Sequence, residues 1–475
     1  MTPPAERRAS ARFAGIVAAV IVAVIGAQLA AGAYVQFFID FKVPYCAAQA
    51  MAHGSDPYRF GSLTVCEHTV AVPPYVPALR AIDPTLEPPP IPPYEMIPFL
   101  VLAQLPFAVA LAVWMGLNIG CCAVAADLLR RALPTLNPAF IGTAIIVSAL
   151  PVGLDLAQFT GIVLLAVTGM GIALRDRKPA AVAWWLAVAC LQPHVALPAA
   201  VALLGRRAGR VAVLCVGAAL ALVSATVFGR LSVEFLTRVL PGAAAVNLID
   251  AAQVSFVSAL ATLGTPLGPT LLASKVIYVG AIAFGTLAGI RIAWRSGREE
   301  ALPWIGTAIG TLAAPYLHLQ QVTMVLPAAM LLAEIGPARR WAQVSLYGLA
   351  VPWAALVMQS WGPWFALGTA AAAWRGPSPR QLLAMALTGA LVLAILTAAA
   401  YGFDVLRQPE APLAPVAPGE DAWAPFIVIQ AHAFGLATLP ARVLTWSAGL
   451  LLIVLSARAA FAGPSPVRPV AASER

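Results

Sequence analysis

The sequence predicts an all-α protein threaded many times through a membrane. Three observations carry that prediction. Of 475 residues, 61% are hydrophobic and 10% charged, with a mean hydropathy of +0.85; an ordinary soluble domain carries about 25% charged residues. The apolar runs are continuous rather than alternating, the pattern of helices and not of a membrane barrel. The basic residues fall in short clusters between the runs, at Arg7, Arg8 and Arg12, then Arg130 and Arg131, Arg175 to Lys178, Arg206 to Arg210, Arg291 to Arg298, Arg339 and Arg340, and Arg375 and Arg380. That spacing follows the positive-inside rule. The net charge of +9 and pI near 9.6 therefore belong to cytoplasmic loop ends, and nothing points to nucleic acid.

These clusters orient each element. Residues 13–38 hold no charge and cross outward from a cytoplasmic N-terminus. The run is longer than a signal-peptide core of about 7–15 residues, so it reads as a retained anchor. Residues 39–94 form a first extracytoplasmic loop, whose prolines and aromatics predict order by stiffness rather than by regular helix. An interfacial helix starts near Glu95, and its span returns to Arg130. Residues 138–150 go out and 158–174 return. The run 180–204 breaks at Gln192, Pro193 and His194, and reads either as a re-entrant hairpin or as two thin crossings. Residues 211–228 go out, 229–267 form a second outside loop, and 269–292 return. Short spans follow at 301–315, 322–335, 341–358, 364–374 and 381–401. A third outside loop, 402–436, carries Asp404, Glu410, Glu420 and Asp421, and 437–456 brings the C-terminus inside. The expectation is one integral-membrane domain over 1–475, multi-pass in the plasma membrane, with about 12 spans (roughly 10 to 14) and short interfacial helices in its outer loops.

Six cysteines are present. Cys121, Cys122, Cys190 and Cys215 lie in apolar runs. Cys46 and Cys66 share the first outside loop, on the oxidising side, which predicts a disulfide between them. No cluster has metal-ligand spacing, and no cofactor is expected.

Asp40 is the most telling single residue. A carboxylate at the end of a membrane span is expensive to hold and marks a functional candidate. Around it the sequence reads Asp40-Phe41, Tyr45, Ala47-Ala48 and His53-Gly54-Ser55-Asp56-Pro57-Tyr58. This pattern resembles glycosyltransferase family 87, the polyprenol-phosphate-mannose-dependent mannosyltransferases. Further motifs follow in the family's order. Pro92-Pro93-Tyr94 resembles its proline-rich return. Ala157-Gln158-Phe159-Thr160 resembles its Gly-Gln helix start, with Ala157 in place of glycine. Gln192-Pro193-His194 resembles its Lys-Pro-His break, with Gln192 in place of lysine. Gln253 and Ser255 resemble its Gln-x-Ser segment, and Ala314-Pro315-Tyr316-Leu317-His318 its Ser-Pro-x-x-His turn.

The resemblance implies a membrane glycosyltransferase of the GT-C fold, a polyprenyl-phosphate sugar donor, an acceptor that is a lipid or glycan, and a site at the outer face with Asp40 as general base. Sugar transfer from a lipid phosphate needs a base for the acceptor hydroxyl, a polar or cationic partner for the leaving phosphate and an apolar groove for the prenyl tail. His318 suits the phosphate; so do Lys42, Arg59, Arg80, Arg230 or Arg238. Tyr45, Tyr58, Gln158, His194 and Gln253 are the remaining candidates for substrate binding. Attack and departure on opposite faces of the sugar predict inversion. The competing reading is a transporter or flippase of a lipid-linked or small solute, which would place its ionisable residues mid-membrane between repeats.

Overall fold

A computed structural model describes residues 4–30, 39–70, 89–149, 153–154, 156–249, 253–262, 265–315, 317–336, 339–357 and 439–462. The expected spans at 364–374 and 381–401, the third outside loop, Arg80, Arg375 and Arg380 lie outside these residues. The described chain is helical, and five helices are long and apolar enough to cross a membrane. They are α1 (Pro4–Ala30), α5 (Phe107–Ala132), α10 (Arg207–Thr226), α14 (Leu267–Ser296) and α18 (Leu439–Phe461).

Shorter apolar helices fill the bundle between them: α6 (Pro138–Ala149), α7 (Thr160–Arg175), α8 (Pro179–Ala189), α9 (Pro193–Leu203), α15 (Ala301–Leu312) and α16 (Leu326–Ile335). α17 (Arg339–Val357) closes this set. Prolines set several starts. Pro179 and Pro193 each occupy the first turn of a helix, where their missing N–H costs nothing. Pro193 therefore ends the run 180–204 as one helix and restarts it as another. α14 stops at Gly297, whose φ of 68° is the left-handed cap that glycine adopts without strain.

The two ends of the bundle differ in character. At the basic end, arginines stitch neighbouring helices together. Arg206 pairs with Glu299 at 2.7 Å, Arg298 with Glu300 at 2.6 Å and with Glu334 at 3.2 Å, and Arg175 reaches Glu300 at 3.7 Å. Arg298 also donates to the Ala132 carbonyl at the end of α5, and Arg295 to Ala460 of α18. These bonds bring the basic ends of seven helices to one level.

From that level the short helices rise only about 16–24 Å at 1.5 Å per residue, against about 45 Å for α14. Their far ends consequently stop beside the middle of α14. Gly310 near the end of α15 packs by Ile282. The Tyr278 hydroxyl donates to the His194 carbonyl at 2.9 Å, at a level about 16 Å short of the Leu267 end of α14. Among the described residues the far face is thus a recess, with the short helices as its floor and the longer ones as its walls.

Before α5 the chain folds more regularly than its prolines predict. Residues 39–70 form two helices, α2 (Ile39–Ala52) and α3 (Phe60–Val70). Pro44 lies inside α2 and forfeits one bond, to the Asp40 carbonyl. Crosslinks between α2 and α3 offset that loss. After residue 88 comes a 3₁₀ turn, Pro93–Met96, then α4 (Ile97–Leu102), where the interfacial helix was expected.

Candidate active site

Asp40 stands in the first turn of α2, partly exposed, where the N–H groups of a helix start favour a carboxylate. Three restraints hold that turn. Cys46 and Cys66 are joined by a disulfide with Cα atoms 5.5 Å apart, which ties α2 to α3. Lys42 and Glu67 form a buried ion pair at 2.9 Å across the same two helices. Phe41 packs among Phe99, Phe107 and Trp114, with ring centroids 5.8, 5.5 and 6.1 Å away.

Gln158 meets Asp40: its side-chain amide donates to Asp40 Oδ2. The turn that presents Gln158 is fixed from below by α5. Trp114 Nε1 donates to the Ala157 carbonyl at 2.7 Å, and the Gly161 N–H donates to Asn118 Oδ1 at 3.1 Å. A Cβ on Gly161 would sit 2.1 Å from the Asn118 carbonyl oxygen, so only glycine lets α7 approach α5 here. Ala157 has φ of 57°, the left-handed region that costs a non-glycine residue about 1–2 kcal/mol. The glycine that the related motif carries at this position has that physical reason.

A second group of polar residues gathers where α9 and α15 end. The backbone of 253–254 pairs with 317–318 as a short antiparallel bridge, with Val254 N–H donating to the Leu317 carbonyl at 2.8 Å. Gln253 Oε1 accepts from the Leu317 N–H. Trp446 of α18 clasps this segment from behind, donating to the carbonyls of Val254 at 3.1 Å and Ser255 at 3.0 Å. The His318 N–H donates to Gln321 Oε1 at 3.0 Å. The His194 ring, in the first turn of α9, faces His318 and Gln321. Gln253, His318 and His194, expected separately from the sequence, are therefore one cluster.

Other expected residues serve the scaffold. The Lys42 ammonium is committed to Glu67 inside the α2–α3 pair rather than held out toward a ligand. The Tyr45 hydroxyl donates to the Leu105 carbonyl at 2.8 Å, and the ring packs edge-on to Phe107. The Tyr58 hydroxyl donates to the Ile91 carbonyl at 2.8 Å, and burial pushes it above its ordinary range. Asp56 caps the same turn by accepting from the Tyr58 N–H. Arg59 and Arg238 both pair with Glu234 of α11 (Gly229–Glu234), at 2.5 and 3.2 Å. Burial first, and Asp56 second, raise the Glu234 carboxyl above its usual range despite these arginines.

Two residues at this face were not singled out from the sequence. Gln321 links His318 to His194. Glu95, on the 3₁₀ turn, is 2% exposed, and its Oε1 has no hydrogen-bond partner among the described residues. A glutamate at the head of an apolar run was the available signal.

The glycosyltransferase family 87 model matches residues 92–315, from the proline-rich return to the turn before His318; the Asp40 to Tyr58 motif precedes it. No curated protein and no solved structure matches the chain. The chain thus carries a region that matches glycosyltransferase family 87, on a bundle with helices apolar enough to cross a membrane, which together suggest a membrane glycosyltransferase.

Proposed function

We propose that the protein moves a hexose, mannose in the first instance, from a polyprenyl-phosphate donor to a lipid or glycan acceptor. The reading takes the recess as the extracytoplasmic face of a GT-C fold in the plasma membrane, and the basic end as cytoplasmic, in accord with the positive-inside rule. The observation that carries it is the bond from Gln158 to Asp40, which joins two motifs 118 residues apart at one carboxylate. An amide partner orients Asp40 without supplying a proton, so the carboxylate stays able to accept one. Asp40 takes the proton of the acceptor hydroxyl as its oxygen attacks the anomeric carbon. The bond from that carbon to the phosphate oxygen breaks on the opposite side, with inversion. His318 donates to the leaving phosphate as charge grows on it. His194, Gln253 and Gln321 hold the His318 turn in place. The recess beside α14 gives the prenyl chain an apolar wall.

The test is transfer from radiolabelled polyprenyl-phosphate mannose by the purified protein. Asp40→Asn should lower turnover by about 10²-fold or more with the protein still folded. Near-normal turnover in that variant removes Asp40 from the role, and absence of transfer by the unaltered protein removes the donor.

A further inference from the structure

Glu95 is the acid at the recess with no assigned work. It is buried to the same degree as the Lys42–Glu67 pair, yet no cation pairs with it among the described residues, and its Oε1 makes no hydrogen bond there. A buried polar group left this way costs stability, and it persists where something absent from the resting fold completes it. Its place narrows what that is. Glu95 lies one helical turn before Phe99 and so on the same face. Phe99 packs against Phe41 and Phe159 with centroids 5.8 and 5.5 Å away, the residues that flank Asp40 and Gln158. On its other side Glu95 acts electrostatically on Cys190, two residues before Gln192. The Gln192 side chain is buried too, with its Oε1 unpartnered among the described residues, and it leads directly to His194. Glu95 therefore neighbours, through Phe99, the segments that carry Asp40 and Gln158 and, through Cys190, the turn that leads to His194.

We propose that Glu95 recognises the hydroxyls of the sugar being transferred, holding the ring between Asp40 and His318. This rests on the polyprenyl-phosphate donor reading above. Three kinds of group on the donor reach this depth: a phosphate, a sugar and a prenyl chain. An apolar chain gives a carboxyl nothing to bond, and a phosphate, which only accepts, would leave the acceptor oxygen of a protonated carboxyl unmatched. Burial raises the Glu95 carboxyl well above the usual carboxylate range, which favours the protonated form, and a protonated carboxyl both donates and accepts. That is the complement of a sugar hydroxyl, which does the same.

The experiment uses the full chain in detergent, with Asp40→Asn present so that bound donor is not consumed. Affinity is measured for polyprenyl-phosphate mannose and for bare polyprenyl phosphate. With Glu95 in place the sugar-bearing lipid should bind about 10- to 100-fold tighter, the range for hydrogen bonds that a site is built to make. Glu95→Gln, neutral and still able to donate and accept, should keep that preference to within about 3-fold. Glu95→Met, similar in volume but apolar, should erase it. The same substitution should raise the unfolding midpoint without lipid by about 2–5 °C, because it removes an unpartnered buried acid. A preference that survives Glu95→Met overturns the proposal, and so does a variant that unfolds early or fails to fold, since Glu95 would then be a structural acid. Equal binding of the two lipids with Glu95 intact also overturns it while leaving the lipid-phosphate reading standing. Absence of binding by either lipid refutes the donor reading itself.

Discussion

The acids of the basic end and Glu95 at the recess are held in opposite ways. At the basic end each acid sits against an arginine: Glu299 with Arg206, Glu300 with Arg298 and Arg175, Glu334 with Arg298. At the recess Glu95 is as deeply buried as Glu300 but meets no cation among the described residues. In the first arrangement every acid has a cation and links helices, although Oε2 of Glu300 and of Glu334 makes no further hydrogen bond among the described residues. The second, on the proposal above, is completed by a guest. The contrast teaches where to look for function in a protein that is nearly all hydrocarbon: at the polar groups the fold has left short of partners, not at the most charged ones.

Breaking the basic end should have the largest effect on stability. Arg298→Met leaves the fully buried Glu300 only the more distant Arg175, at 3.7 Å, and should cost about 3 kcal/mol, read by chemical or thermal unfolding of the purified protein. Transfer per folded molecule should be unchanged. At the recess the balance reverses. His318→Ala should lower turnover by about 10²-fold, the loss expected when one donor to a developing charge is removed, and shift the unfolding midpoint far less than Arg298→Met does. A smaller effect sharpens the boundary between the two regions. Ala157→Gly relieves the left-handed backbone that presents Gln158 and should stabilise the fold by about 1 kcal/mol; a destabilised variant would mean that the φ of 57° costs nothing.

The smallest is a slope with pH. A carboxyl raised on folding binds its proton more tightly in the native state, so stability is highest below its ordinary value of 4.5 and declines as pH rises from there through the raised folded value. Unfolding midpoints across that window should fall with pH in the unaltered protein and flatten in Glu95→Gln. A rise with pH that the substitution abolishes would mean Glu95 is ionised in the fold.

Much of this was legible in the residues themselves. Clusters such as Arg130-Arg131 and Arg339-Arg340 marked one end of the helices, and Pro193 predicted the break in 180–204, because both act locally. Cys46 and Cys66 could be paired because they share one side of the membrane. The structure adds what depends on packing. Lys42 looks available as a phosphate partner until α3 brings Glu67 against it. Tyr45 and Tyr58 look like ligand contacts until their hydroxyls are seen to hold Leu105 and Ile91. Residues 39–70 look too broken for helix, since a proline count does not reveal a disulfide and an ion pair acting together. Glu95 looked interfacial because no sequence pattern says which way a short 3₁₀ turn faces.

The clasp of Trp446 on the 254–255 segment has a bearing on how the protein is made. The strand that carries Gln253 and braces His318 is gripped by a helix nearly two hundred residues later. The α2–α3 hairpin carries its own crosslinks, whereas the segment that braces His318 is held by a helix far along the chain. A chain that stops before residue 439 thus lacks the indole that holds these carbonyls, and the phosphate site proposed above would stay unfinished.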